Sequence, residues 1–114
     1  NIHIKLAGQD GLDLAKLETI AARVCVPLVL HGGTGIAPQA VKEAIKLGVR
    51  KVNYGTYMKQ HYLRVLSAVL ERPIANPHEI LGLGGEHDLL VAGRQAVRDA
   101  VLERIELLGC CGQA

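Results

Sequence analysis

The chain has 114 residues, 49% of them hydrophobic and 21% charged, with a net charge of +2. That length holds one domain at most, and the composition is too apolar for a disordered chain. No apolar run is long enough to span a membrane, and a chain with no basic cluster, no Phe, no Trp and three Tyr is not built for nucleic acid.

Asn1-Ile2-His3-Ile4 reads as the end of a strand, followed by a polar loop from Lys5 to Asp10. Asp13 is a helix N-cap candidate. Leu14, Leu17, Ala21 and Val24 follow it at helical spacing. Residues 26–30, Val-Pro-Leu-Val-Leu, form a second strand. His31-Gly32-Gly33-Thr34-Gly35 is a glycine-rich turn. Pro38 suits the first turn of a helix, Val41, Ala44, Ile45 and Leu47 give that helix its apolar stripe, and Gly48 suits its stop. Residues 49–53 form a third strand. Thr56 can cap a helix that buries Met58, Tyr62, Val65, Leu66 and Val69 and ends before Pro73. Pro77 to Leu83 reads as a short helix. Asp88 can cap a long last helix with Leu90, Val97, Val101, Ile105 and Leu108 on one side, before an irregular tail.

Strands alternating with helices are the pattern of parallel βα units. About three units are present, plus C-terminal helices. A closed (β/α)8 TIM barrel takes ~250 residues. The expected fold class is therefore α/β, with residues 1–114 as the C-terminal portion of a single barrel domain. The chain begins at Asn1 and its only Met is Met58, so an N-terminal part of the barrel is expected to precede it. A partial parallel sheet leaves open edges, so these residues should pack against that part rather than stand as a monomer. Cys25, Cys110 and Cys111, an odd count with two adjacent, do not make a disulfide framework. A reducing, cytoplasmic setting fits, with Cys25 as a small core residue.

Three groups of residues carry chemistry. His3 and His31 each end a strand and lie 28 residues apart, about one βα unit. The C-terminal strand ends of a barrel form its active-site rim. Two imidazoles there could share a metal such as zinc, or each could be a hydrogen-bonded surface residue. Gly32 to Gly35 with the following helix start make an anion site, or a plain tight turn. Asn53-Tyr54-Gly55-Thr56 ends the next strand, where Thr56 could meet the same anion or only cap its helix. Neither motif holds an Arg or Lys placed to take a phosphate, so such binding would rest on helix N-termini and hydroxyls.

Leu28 to Ile36, with His-Gly-Gly-Thr-Gly, and Lys46 to Thr56, with Lys-Val-Asn-Tyr-Gly-Thr, resemble the class II, zinc-dependent ketose-bisphosphate aldolases that act on fructose or tagatose bisphosphate. Asn1-Ile2-His3 resembles the segment with an earlier zinc histidine. Leu12-Asp13-Leu14 is similar to the helix before the next strand, and Gly109-Cys110-Cys111-Gly112 to a tail of the tagatose branch. The resemblance implies reversible cleavage of a ketose bisphosphate to dihydroxyacetone phosphate and an aldehyde phosphate. It implies His3 and His31 as two of three zinc ligands, and Gly32, Gly33, Thr34, Gly55 and Thr56 around the substrate phosphate. Asn53 would orient the enediolate. It also implies a homo-oligomer and leaves room for a monovalent cation. The acid/base and the third zinc ligand would lie upstream, so these residues alone would be inactive.

Ile4 stands where the family often has Gly, and Gly55 where the fructose branch has Asp. Gly82 to Glu86 looks inserted. These departures point to a divergent member. Two other readings use the same residues: a non-catalytic phosphate-binding barrel fragment, and a phosphosugar barrel enzyme that needs no metal. The second has no reason to pair His3 with His31.

Overall fold

The computed structural model describes residues 11–74 and 76–113. The expected first strand and His3 lie outside the described residues. The chain is an α/β fold whose described strands form one two-stranded parallel sheet. It divides into two compact units. One comprises the residues up to Thr56 together with those from Ile105 onward, and the other runs from Tyr57 to Arg104.

The first unit is built on α1 (Leu14–Ala21), β1 (Leu28–Leu30), α2 (Pro38–Lys46) and β2 (Val49–Val52). Asp13 caps α1, its Oδ1 accepting from the Lys16 amide at 2.9 Å. Pro38 opens α2, where its missing N–H removes no helical bond. Gly48 ends α2 in the left-handed region at φ 107°, and its amide donates to the Ile45 carbonyl. Gly is the residue that takes this conformation without steric cost.

β1 and β2 pair in parallel with Leu28 opposite Val49, Val29 opposite Lys51 and Leu30 opposite Val52, and a register shift follows Leu28. One face of this sheet is covered by α2. Leu30, Ile36, Val41, Ala44 and Val49 form the core, with Leu14, Leu17, Leu28, Val52 and Leu108 packed around it. β1 is shorter than the expected run of residues 26–30. Pro27 has no N–H for the ladder, and Val26 is 65% exposed. Cys25 is exposed in this same connection and is not a core residue. The link from α1 to β1 runs over the surface, as connections do.

The second unit holds most of α3 (Thr56–Leu70), a short 3-10 turn (Pro77–Glu79) where a helix was expected, and most of α4 (Leu89–Leu107). Thr56 is the first residue of α3 rather than the residue before it. The face expected on α3 is the one turned inward, with Val69 buried. On α4 the buried stripe is Gly93, Ala96 and Ala100, whereas Leu90 is 62% exposed and Val101 lies outside. The reason is close approach. A Cβ on Gly93 would stand 2.4 Å from the Tyr62 ring and 2.9 Å from Leu66 Cδ1. The large α3 side chains fill the space, so small residues of α4 face them.

Asp88 is 3% exposed and does two jobs. Its Oδ1 accepts from the Leu90 and Val91 amides and caps α4. Its Oδ2 accepts from the Gly82 and Gly84 amides and gathers the Gly82–Glu86 loop. The Gly82 and Gly84 amides, then those of Leu90 and Val91, hold this carboxyl below the ordinary carboxylate value. A depressed folded pKa means that the stabilisation is complete above the unfolded value of 3.8 and fades as pH falls through the lower folded one. Asp88→Ala should lower the melting temperature at pH 7, and Asp88→Asn, which keeps one acceptor, should lower it less. Both variants should lose less stability than the parent on acidification from pH 5. Thermal scans of the three proteins across pH check this, and parallel acid limbs would remove Asp88 from that role.

Candidate functional site

The site candidate sits where the two strands end. His31 follows Leu30 directly and is exposed, and Asn53 follows Val52 directly and is half-buried. The Asn53 amide donates to the Leu30 carbonyl at 2.9 Å, and the Gly33 amide donates to the Asn53 carbonyl at 3.0 Å. These two bonds carry the pairing beyond the strands. They place the side chains of His31 and Asn53 beside each other, with Asn53 Nδ2 3.3 Å from His31 Nδ1. The two groups lie within hydrogen-bond reach, and this contact helps set the ring's orientation.

The glycine-rich turn is a short 3-10 turn, Gly33–Gly35, entered through Gly32 in the left-handed region at φ 65°. Gly35 donates to the Gly32 carbonyl and Ile36 to the Gly33 carbonyl, each at 3.3 Å. With Gly33 bonded to Asn53, three amides of this loop are engaged inside the protein. Gly33 is glycine for reasons of space: a Cβ there would meet Val52 Cγ1 at 2.8 Å and the Tyr54 ring at 2.9 Å. Thr34 is half-buried in the middle of the turn. Gly55 is exposed, with open space where a Cβ would go, and Thr56 begins α3 immediately after it. His31, Gly32, Gly33, Thr34, Asn53, Gly55 and Thr56 thus belong to one unit, around the end of one strand pair.

Zinc was expected from the histidines, and the donor set tests that fit. His31 offers one exposed imidazole at a strand end, a suitable single ligand. Among the described residues no group of three His, Cys, Asp or Glu could hold a metal. His31 is thus a single donor among the described residues, and His3 lies outside them.

Two other histidines are engaged locally. The His61 ring lies 4.4 Å from that of Tyr57. His87 contacts Arg72 Nη1 at 2.8 Å through Nδ1 and Glu86 at 3.4 Å through Nε2. One polar cluster had no sequence signal, because its members lie 46 and 47 residues apart. Tyr57 donates its hydroxyl proton to Glu103, and Arg104 Nη2 donates to the Tyr57 oxygen at 3.2 Å, with its guanidinium 4.2 Å from the ring centroid. Burial first and the Glu103 bond second raise the tyrosine pKa, while the Tyr57 bond holds Glu103 below its ordinary value. In the second unit this cluster ties the first turn of α3 to the last turns of α4.

A sequence model of the class-II fructose-bisphosphate aldolase family matches residues 1–113. The chain belongs to that family. Among solved structures, the crystal structure of the YdjI aldolase from Escherichia coli K12 matches it with a TM-score of 0.73 and 32% identity over 90% of this chain. The match spans 36% of that aldolase's length. No helix among the described residues is long and apolar enough to cross a membrane.

Gly33 and Gly55 make a matched pair of probes. Gly33→Ala should cost about 1–3 kcal/mol of stability through overpacking against Val52 and Tyr54. Gly55→Ala should stay within about 0.5 kcal/mol of the parent. Urea unfolding of both variants decides it, and equal midpoints would remove the steric account of Gly33.

Proposed function

We propose that residues 1–114 are the C-terminal portion of a (β/α)8 barrel subunit that cleaves a ketose bisphosphate, reversibly and with zinc, to dihydroxyacetone phosphate and an aldehyde phosphate. The observation that carries this reading is the His31–Asn53 contact at the ends of two adjacent parallel strands, in a chain of the class-II aldolase family. A metal-binding imidazole and a substrate-holding amide belong side by side if one substrate oxygen is to be gripped by both.

In this reading His31 and His3 hold zinc together with a histidine from an earlier strand, which also brings the acid/base. Zinc, when bound, polarises the substrate carbonyl. The residues of this chain bind and orient. Asn53 turns its amide to the oxygen that gains charge as the C–C bond breaks. Thr34 and Thr56 offer hydroxyls to the substrate phosphate. Gly32 and Gly55 leave room for its approach, and Gly33 lets the loop close beside it. Gly55, without a side chain, relaxes selection among sugar hydroxyls. A monovalent cation beside the phosphate, a homo-oligomer and a cytoplasmic location belong to the same reading.

The test uses the complete subunit. It should cleave fructose or tagatose bisphosphate, and chelation should abolish the activity. His31→Ala should lose bound zinc and activity together, whereas Thr56→Val should raise KM more than it lowers kcat, because a phosphate contact equal in ground and transition states appears in KM. Full zinc occupancy in His31→Ala, or no turnover of either substrate by the parent, would overturn the reading.

A further inference from the structure

Lys51 stands in the Lys-Val-Asn motif, two residues before Asn53. In a strand, residues two apart share a face. Leu30 and Val52 point into the core under α2, so Val29 and His31 on β1, and Lys51 and Asn53 on β2, share the opposite face. Two observations agree with this. Val29 is opposite Lys51 in the register and both are exposed, and the next pair along the ladder, His31 and Asn53, is in contact. The face therefore carries a column with Val29 and Lys51 below and His31 and Asn53 at the rim. Lys51 lies two residues, about 6.6 Å of strand, beneath Asn53. Its flexible four-carbon stem can lift an ammonium toward the rim.

Its neighbour Arg50 is not equivalent. The Arg50 guanidinium donates to the Ile45 carbonyl at 3.0 Å and to the Val49 carbonyl at 3.3 Å, which ties it to the end of α2. Lys51 has no hydrogen bond or ion pair among the described residues. It is the basic residue that strand alternation puts on the same face as His31 and Asn53.

We propose that Lys51 is a substrate-binding residue of this site, an ammonium that attracts the phosphate-bearing substrate to the His31–Asn53 rim. The proposal rests on the aldolase reading for its substrate class, but its charge argument is separable. A point charge on the site face of a sheet acts on any phosphate that enters, before and during the reaction alike. Its effect therefore falls on binding rather than on the chemical step. It also makes binding sensitive to salt, because partly exposed charges are screened.

The experiment uses the complete subunit with Lys51→Met, Lys51→Gln and Lys51→Arg. Inorganic phosphate is the probe in calorimetric titration, beside KM and kcat for a ketose bisphosphate and the zinc content. The two neutral variants should weaken phosphate binding and raise KM by about tenfold, with kcat and zinc content near those of the parent. Lys51→Arg should recover most of the loss. Phosphate affinity of the parent should fall as salt rises, a readout that stands even if the neutral variants fail to fold. Parental phosphate affinity in Lys51→Met, or a salt-independent affinity in the parent, overturns the proposal. So does a neutral variant that loses only thermal stability, since the lysine would then be pairing with a carboxylate of the barrel. A parent that binds phosphate through Lys51 and cleaves no ketose bisphosphate would overturn the aldolase reading and leave this one standing.

Discussion

Everything at the candidate site depends on the register of one short parallel strand pair. Leu30 lies opposite Val52, so the next residues out, His31 and Asn53, must meet. A slip of one residue would turn His31 or Asn53 to the core face, because side chains alternate with a period of two. The register is held from below by the core, where Leu30 and Val49 pack against Val41 and Ala44 of α2. It is held from above by the Asn53 amide on Leu30 and the Gly33 amide on Asn53. Burial of apolar surface beneath and two amide bonds at the rim fix the same alignment. The site inherits its geometry from the core and needs few bonds of its own.

The second constraint is space. The chain can leave β1, turn through Gly32 and bring the Gly33 amide to Asn53 because Gly33 has no Cβ to strike Val52 and Tyr54. A glycine-rich turn of this kind is usually read as an open row of amides for an anion. Here three of those amides are engaged in closing the loop. Under the proposed reading, phosphate binding shifts toward the Thr34 and Thr56 hydroxyls and the start of α3. A positive charge on the same face then has more to contribute, and that makes the lysine of the motif worth separating from its neighbours.

Local signals were legible in the sequence. The Asp13 cap, Pro38 at the start of α2, Gly48 at its end and the inward face of α3 each follow from the chemistry of one residue or one helical period, and the structure has them. The α/β class followed from the alternation of such elements. Features that depend on distant partners were not legible. On α4 only part of the expected stripe turns inward: Val97, Ile105 and Leu108 are half-buried, whereas Leu90 and Val101 are exposed and the buried positions go to small residues, because Tyr62 and Leu66 fill the space opposite Gly93. Cys25 looked like core by residue type, but its segment is a surface connection. The bonds from Asp88 back to Gly82 and Gly84, and those from Tyr57 to Glu103 and Arg104, join residues that no periodicity links. At the site itself, the motif residues were legible as a group. The side-by-side placement of His31 and Asn53, and the position of Lys51 beneath them, needed the register.

The face that carries these residues is the one α2 does not cover. Val29 is 47% exposed there, and His31 and Lys51 are exposed with it. Parallel sheets are stable with both faces covered, and a pair of charges counts for little in open water. Both facts ask for the same complement. In the proposed barrel, further strands would continue the sheet at its edges and enclose this face. Val29 would lose water, the field of Lys51 would be less screened, and His31 would gain the neighbours that a metal ligand needs. Folding and chemistry would then be completed by one event, the closure of the barrel. That is why the residues of the site can be recognised in this chain while the site's full electrostatic strength would arise only in the closed fold.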